Sequence, residues 1–130
     1  MWQVIPKKKE GGGLYKKPVI ALRANRDKTS RKSYFYFPLI TKKMLGISED
    51  QKWCTVYRTK DKFLFQFSKE KGKESRQFNS GHIVSIPITL VREWLNGARE
   101  KYYNTHRETA GVGIIRIDDE AKNVQLFKGG

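Results

Sequence analysis

Four aromatic residues stand in a row at Tyr34-Phe35-Tyr36-Phe37, within the segment Ser33–Phe37, and this row limits the fold more than any other stretch. Aromatic side chains favour extended backbone. On a strand, successive side chains point to opposite faces, so Tyr34 and Tyr36 share one face while Phe35 and Phe37 share the other. A sheet with one wet side needs apolar residues only on its inner face. A strand that is aromatic on both faces therefore requires a second cover, either another layer of protein or a ligand. Tyrosine suits the wetter side, because its hydroxyl can stay hydrogen-bonded while its ring is partly buried. Phe35 and Phe37 are assigned to the core. Tyr34 and Tyr36, with Tyr57 as a further candidate, are assigned to a face that meets a ligand or a second layer.

From Arg31 to Phe67 the sequence reads as strand, short helix, strand, turn, strand. Pro38 ends the first strand, Thr41 is placed to cap a short helix through Met44 and Leu45, and Gly46 stops it. Trp53, Thr55 and Tyr57 then alternate with Cys54, Val56 and Arg58, and Lys60-Asp61-Lys62 separates them from Phe63–Phe67, which is a hairpin pattern. Upstream, Val19–Ala24 reads as a strand joined by a turn to the aromatic one. Downstream of a polar loop over Ser68–Ser80, His82–Pro87 reads as a strand. Thr89 is placed to cap an amphipathic helix whose stripe is Leu90, Val91, Trp94, Leu95, Ala98 and Tyr102. Gly111–Ile117 and Asn123–Phe127 read as strands around a turn at Asp118-Asp119-Glu120. The expected fold class is α+β: a small antiparallel β-rich barrel or sheet with one short and one longer helix.

The chain has 130 residues, enough for one hydrophobic core. Residues 19–130 are expected to form a single domain. Residues 1–18, with Lys7-Lys8-Lys9, Gly11-Gly12-Gly13 and Lys16-Lys17, are expected to form a flexible basic arm.

Charge narrows the partner. Lys and Arg number 27 against 13 Asp and Glu, a formal net charge of +14, and such a chain seeks polyanions. Residues 1–76 hold 20 basic and 7 acidic residues, net +13, whereas residues 77–130 hold 7 and 6, net +1. A surplus confined in this way points to one working face. Arg23, Arg26, Lys28, Arg31 and Lys32 place five cations within ten residues; Lys42, Lys43 and Arg58 add to them as candidate phosphate contacts. DNA is the expected partner, ahead of RNA, bound mainly through its phosphate backbone by a basic face. Two alternatives stand beside this: a single-strand binder that stacks bases on Tyr34 and Tyr36, and an assembly or genome-packaging protein that acts through its arm and sheet edges. Homo-oligomerisation stays open.

No catalytic or metal-binding pattern emerges. His82 and His106 lack a ligand spacing, Cys54 is the single cysteine, and Asp118-Asp119-Glu120 reads as a solvated turn. No enzyme activity and no cofactor are expected. No apolar run approaches the ~18 residues that span a bilayer, and the first residues lack a secretory apolar core, so a cytoplasmic protein away from membranes is expected.

Two stretches share a plan. In each, a strand ends in proline, a helix follows, and two strands are joined by a charged turn. Ser33–Pro38 matches His82–Pro87, Met44-Leu45 matches Trp94-Leu95, and Phe63–Phe67 matches Val124–Phe127; the two prolines lie 49 residues apart. Phe37-Pro38 with Leu45-Gly46-Ile47 and Glu49-Asp50, and Ile86-Pro87 with Trp94-Leu95, resemble the AbrB-like swapped-hairpin domains, DNA-binding modules of transcription regulators. The resemblance implies a pseudo-dimer in one chain, duplex DNA as the ligand, and DNA-facing positions at Arg31 and Lys32. The chain departs from the family pattern at Asp50-Gln51, where a glycine-aspartate turn is usual, and at Gln77-Phe78-Asn79, where a basic run is expected.

Overall fold

The structure, a computed structural model, describes residues 2–3, 15–25, 31–122 and 124. Among them, two antiparallel sheets and two short helices make an α+β fold. The strands are β1 (Val19–Ala24), β2 (Lys32–Tyr36), β3 (Trp53–Arg58), β4 (Lys62–Ser68), β5 (Arg76–Gln77), β6 (His82–Pro87), β7 (Glu100–Asn104), β8 (His106–Thr109) and β9 (Val112–Arg116). Helix α1 (Leu39–Leu45) follows β2, and α2 (Ile88–Leu95) follows β6. One sheet has the order β6-β2-β1-β7 and the other β5-β3-β4-β9-β8, and the two do not close into a barrel.

The core forms where the two phenylalanine series meet. Phe35 and Phe37 next to or on β2 and Phe63, Phe65 and Phe67 on β4 are all buried. They interlock edge to face: Phe35 lies 5.0 Å from Phe65 and 5.3 Å from Phe63, while Phe37 lies 5.1 Å from Phe65 and 5.3 Å from Phe67. Each such pair contributes about 0.5–1.5 kcal/mol beyond the area it buries. The spacing of two residues on both strands is what lets the rings alternate across the interface.

Both helices start directly after a proline. Pro38 and Pro87 occupy the N-cap positions without any side-chain cap, since a φ near −60° already suits a helix start. The expected caps have other fates. Thr41 sits inside α1, buried, and its hydroxyl donates to the Val19 carbonyl at 2.5 Å, tying the helix to β1. Thr89 lies in the first turn of α2. The second helix also ends earlier than its apolar stripe suggests, because Asn96 and Gly97 adopt left-handed conformations at φ 47° and 81°. Val91, Trp94 and Leu95 are buried as expected, but Tyr102 belongs to β7.

Other segments differ from expectation for local reasons. The polar stretch after Asn104 forms β8; one run of chain serves the first sheet as β7 and crosses at the buried Thr105 into the second. The 68–80 loop contains β5 and the buried Phe78, whose ring lies 4.8 Å from Phe67 and 5.5 Å from Phe37. Residues 117–119 form a single 3-10 turn. The strand expected at Asn123–Phe127 lies outside the described residues except for Val124, which is in no strand.

The two stretches that share a plan in the sequence meet through strand pairing. β2 pairs antiparallel with β6, and β4 pairs antiparallel with β9. Each of these strands leads to, or ends, a run of strand, helix and hairpin, β2-α1-β3-β4 and β6-α2-β7-β8-β9, the second with β7 inserted between its helix and its hairpin. The in-sheet counterpart of Phe63–Phe67 is thus β9. The expected counterpart, Val124–Phe127, lies outside the described residues except for Val124.

Candidate nucleic-acid interface

Strand register builds the outer face of the first sheet. Tyr36 stands opposite Ala21 on one side and His82 on the other, and Ala21 stands opposite Tyr102. One row across the sheet therefore reads His82, Tyr36, Ala21, Tyr102. The small Ala21 leaves a gap between two large rings, and Tyr15 fills it. Tyr15 is only 5% exposed, with its ring centre 6.0 Å from Tyr36 and 5.9 Å from Tyr102. This residue falls within the segment expected to be a free arm; Lys7–Lys9 and Gly11–Gly13 lie outside the described residues.

The next row reads Tyr34, Arg23, Glu100. Arg23 donates to the Glu100 carboxylate and, at 2.6 Å, to the Tyr15 hydroxyl, and its guanidinium lies 5.3 Å from the centre of the Tyr36 ring. Its charge is therefore engaged within the sheet, holding Tyr15 and Tyr36 in place. Tyr102 also donates to Glu100. Burial, and then this bond to a carboxylate, push the Tyr102 phenol upward, and burial does the same to Tyr15. Both stay protonated at neutral pH.

Tyr34 and Tyr36 are half-buried, facing away from the core that takes Phe35 and Phe37. The ring of His82 lies 4.8 Å from Tyr36 and 5.7 Å from Tyr34, and Val84, further along β6, is 56% exposed. Together they make a continuous aromatic strip. Tyr57 does not join it, since it lies on β3 in the other sheet, 51% exposed, with its hydroxyl 3.3 Å from Gln66.

The candidate cations divide between the two ends of β2. Arg31 and Lys32 are exposed at its head beside α2, where the Ile88 amide donates to the Arg31 carbonyl at 2.9 Å. Arg58, exposed at this same end, donates to the Leu90 carbonyl of α2 at 2.9 Å. Arg26 and Lys28 lie outside the described residues. Lys42 and Lys43 sit in the last turn of α1 at the opposite end, where Thr41 ties the helix to Val19 at the start of β1. There they line a cleft of 410 Å³ that also includes Lys52, Gln77, Asn79 and Gly81. Gly81 joins the cleft to the strip, because a Cβ at that position would lie 3.2 Å from Cε1 of Tyr36.

The predicted residues thus fall along a line: Arg31 and Lys32, Tyr34, Tyr36 with His82, then Lys42 and Lys43. Arg23 is tied down within the sheet, and Arg58 lies to one side. His82, Tyr15, Tyr102 and Lys52 were not singled out from sequence. Their place depends on which strands pair, and only the β2-to-β6 match carried a sequence signal for that.

The remaining candidates lie elsewhere. Asp119 accepts from Arg116 Nε at 2.9 Å and lies 2.8 Å from His106 Nε2, while Glu120 pairs with Lys101 at 2.8 Å. Cys54 is buried, and burial pushes its thiol upward. No helix among the described residues is long and apolar enough to cross a membrane. Compared with family models, curated proteins and solved structures, the chain finds no match in any of the three.

Proposed function

We propose that the chain binds single-stranded nucleic acid along the outer face of β2. One observation carries this: Tyr34, Tyr36 and His82 form a continuous aromatic strip with unburied cations at each end. Every base has a π-face, and stacking on an aromatic side chain contributes about 1–3 kcal/mol per base without selecting sequence. Arg31 and Lys32 at one end and Lys42 and Lys43 at the other would meet phosphates and release counterions. Arg23 and Tyr15 act on the rings, fixing the orientation of Tyr36 before a ligand arrives.

Duplex DNA is a second ligand favoured by a different observation. The interlocked pairs β2 with β6 and β4 with β9 support the AbrB-like resemblance, which implies duplex contacts at Arg31 and Lys32. The positions before β6 are Ser80 and Gly81, however, so the second half lacks the matching cations.

The test is a titration of fluorescent single-stranded and double-stranded oligonucleotides of mixed sequence at several salt concentrations. Single strands are expected to bind more tightly, with a log–log salt slope of about −0.7 per neutralised phosphate. Tyr34→Ala and Tyr36→Ala are each expected to weaken binding by about 5- to 100-fold. Tighter duplex binding that ignores both tyrosines would replace this function with backbone recognition of DNA. Binding to neither at low salt would remove nucleic acid altogether and leave self-assembly, read by sedimentation, as the role of the charge.

A further inference from the structure

The cleft at the far end of β2 has the makings of a binding site of its own. Its volume of 410 Å³ lies within the ~300–1,000 Å³ range of small-ligand sites. Lys42, Lys43 and Lys52 contribute three cations to its lining, against Glu49 as the single carboxylate. Among the described residues, no carboxylate forms an ion pair with any of the three.

Helix capping does not account for these lysines. The carbonyls of Lys42 and Lys43 are already bonded to the backbone, to the Ile47 amide at 3.0 Å and the Gly46 amide at 3.1 Å, and Lys52 is not on the helix. Three like charges gathered around one concavity repel one another, and an anion relieves that cost.

The rest of the lining points to an anion with a flat, partly polar body. Leu39, Ile47 and Phe78 provide apolar surface. Gln77 and Asn79 provide carboxamides, whose adjacent donor and acceptor match the edge of a nucleobase, adenine best of all.

We propose that this cleft binds a nucleoside monophosphate, held as the end nucleotide of the single strand that crosses the aromatic strip. The phosphate lies among the three lysines, the base against Leu39 and Ile47, and its polar edge toward Gln77 and Asn79. The position at the end of a strand rests on the function proposed above, because Gly81 is where the Tyr36 ring and the cleft meet. Affinity for the free nucleotide does not rest on it.

The two ideas separate in one set of titrations of the full chain, followed by the amide resonances of the ¹⁵N-labelled protein. The probes are AMP, adenosine, inorganic phosphate and a short single-stranded oligonucleotide. AMP is expected to shift residues 46–52 and 77–81 and to bind at least about tenfold more tightly than phosphate or adenosine alone, a gap of ~1.4 kcal/mol. Lys42→Gln combined with Lys43→Gln is expected to weaken AMP about tenfold or more; both positions lie on the surface turn of α1, so the fold is retained and the unchanged remaining spectrum verifies it. The cleft proposal is overturned if AMP leaves those residues unshifted, if phosphate alone binds as tightly, or if the double substitution leaves AMP affinity intact. An oligonucleotide that binds while AMP does not overturns the cleft and spares the strip. AMP binding without any oligonucleotide binding spares the cleft and overturns the strip.

Discussion

Gly81→Ala and Gly97→Ala form a matched pair, because both glycines hold nearly the same left-handed φ, +80° and +81°, in very different surroundings. An added Cβ costs roughly 1–2 kcal/mol at either position from backbone conformation alone. At Gly97 there is nothing within 4 Å for the methyl to meet. At Gly81 it would lie 2.7 Å from the Phe37 carbonyl oxygen and 3.2 Å from the Tyr36 ring. That contact is with backbone, so it is relieved only by moving strands apart. The Phe37 amide donates to the Gly81 carbonyl at 2.7 Å, and loosening this bond adds about 1 kcal/mol. Repacking adds another ~1–3 kcal/mol. The sums are about 1–2 kcal/mol at Gly97 and about 3–6 kcal/mol at Gly81. For a chain of this size 1 kcal/mol moves Tm by roughly 4 °C, so the expected losses are about 4–8 °C and about 12–24 °C. Urea unfolding followed by far-UV circular dichroism, with calorimetry for Tm, measures both. Losses that agree to within about 0.5 kcal/mol would refute the close approach at Gly81.

Three further outcomes are expected. The Thr105 hydroxyl is buried without a hydrogen-bond partner among the described residues, so Thr105→Val, which keeps the shape, should raise stability by about 0.5–1 kcal/mol in urea unfolding; a comparable loss would contradict it. Arg116, donating a hydrogen bond, and then His106 hold the Asp119 carboxyl below its usual value. A depressed folded value means the stabilisation is present above the unfolded pKa of about 3.9 and lost as pH falls through the lower folded value. Asp119→Asn should therefore cost about 0.5–1 kcal/mol at pH 7, with the gap closing as the pH falls through the carboxyl's lowered folded value, and a gap that widens in acid would contradict the pairing. Burial raises the Cys54 thiol, so a disulfide reagent at pH 8 should label it only at the rate of unfolding; rapid labelling of the folded chain would place it at the surface.

Local signals in the sequence carried well to the structure where they were strong. Val19–Ala24 and His82–Pro87 are strands over the same residues, the β3-β4 hairpin turns at Lys60-Asp61, and the division of the aromatic row into Phe core and half-buried Tyr follows from strand alternation together with the tyrosine hydroxyl's preference for the wetter face. What the sequence hid was decided by tertiary contacts. The stripe from Leu90 to Tyr102 looks helical throughout, yet two left-handed residues at Asn96 and Gly97 end the helix; that pair is a stop signal, and the apolar spacing running past it outweighed it. His106–Thr109 is exposed and polar, and forms a strand because β9 pairs with it. The candidate site was legible as a list of cations and tyrosines. It was not legible as a line, because the line exists only once β6 lies beside β2 and brings His82 and Gly81 to Tyr36.

The interleaving of the two units has a consequence for how the molecule assembles. Phe35 is paired with Ile83 and Phe63 with Ile115, so the strands that join the halves come from positions some fifty residues apart in sequence. Neither half owns a complete sheet. Pairings of such long range close large loops before they gain anything in return, which places folding toward the millisecond-to-second end of the scale. The polar segment from Lys69 to Ser75 is the main tether between the units and carries no core residue. Cutting it would leave two fragments that are each other's template: neither a domain by itself, yet together able to rebuild both sheets from separate chains.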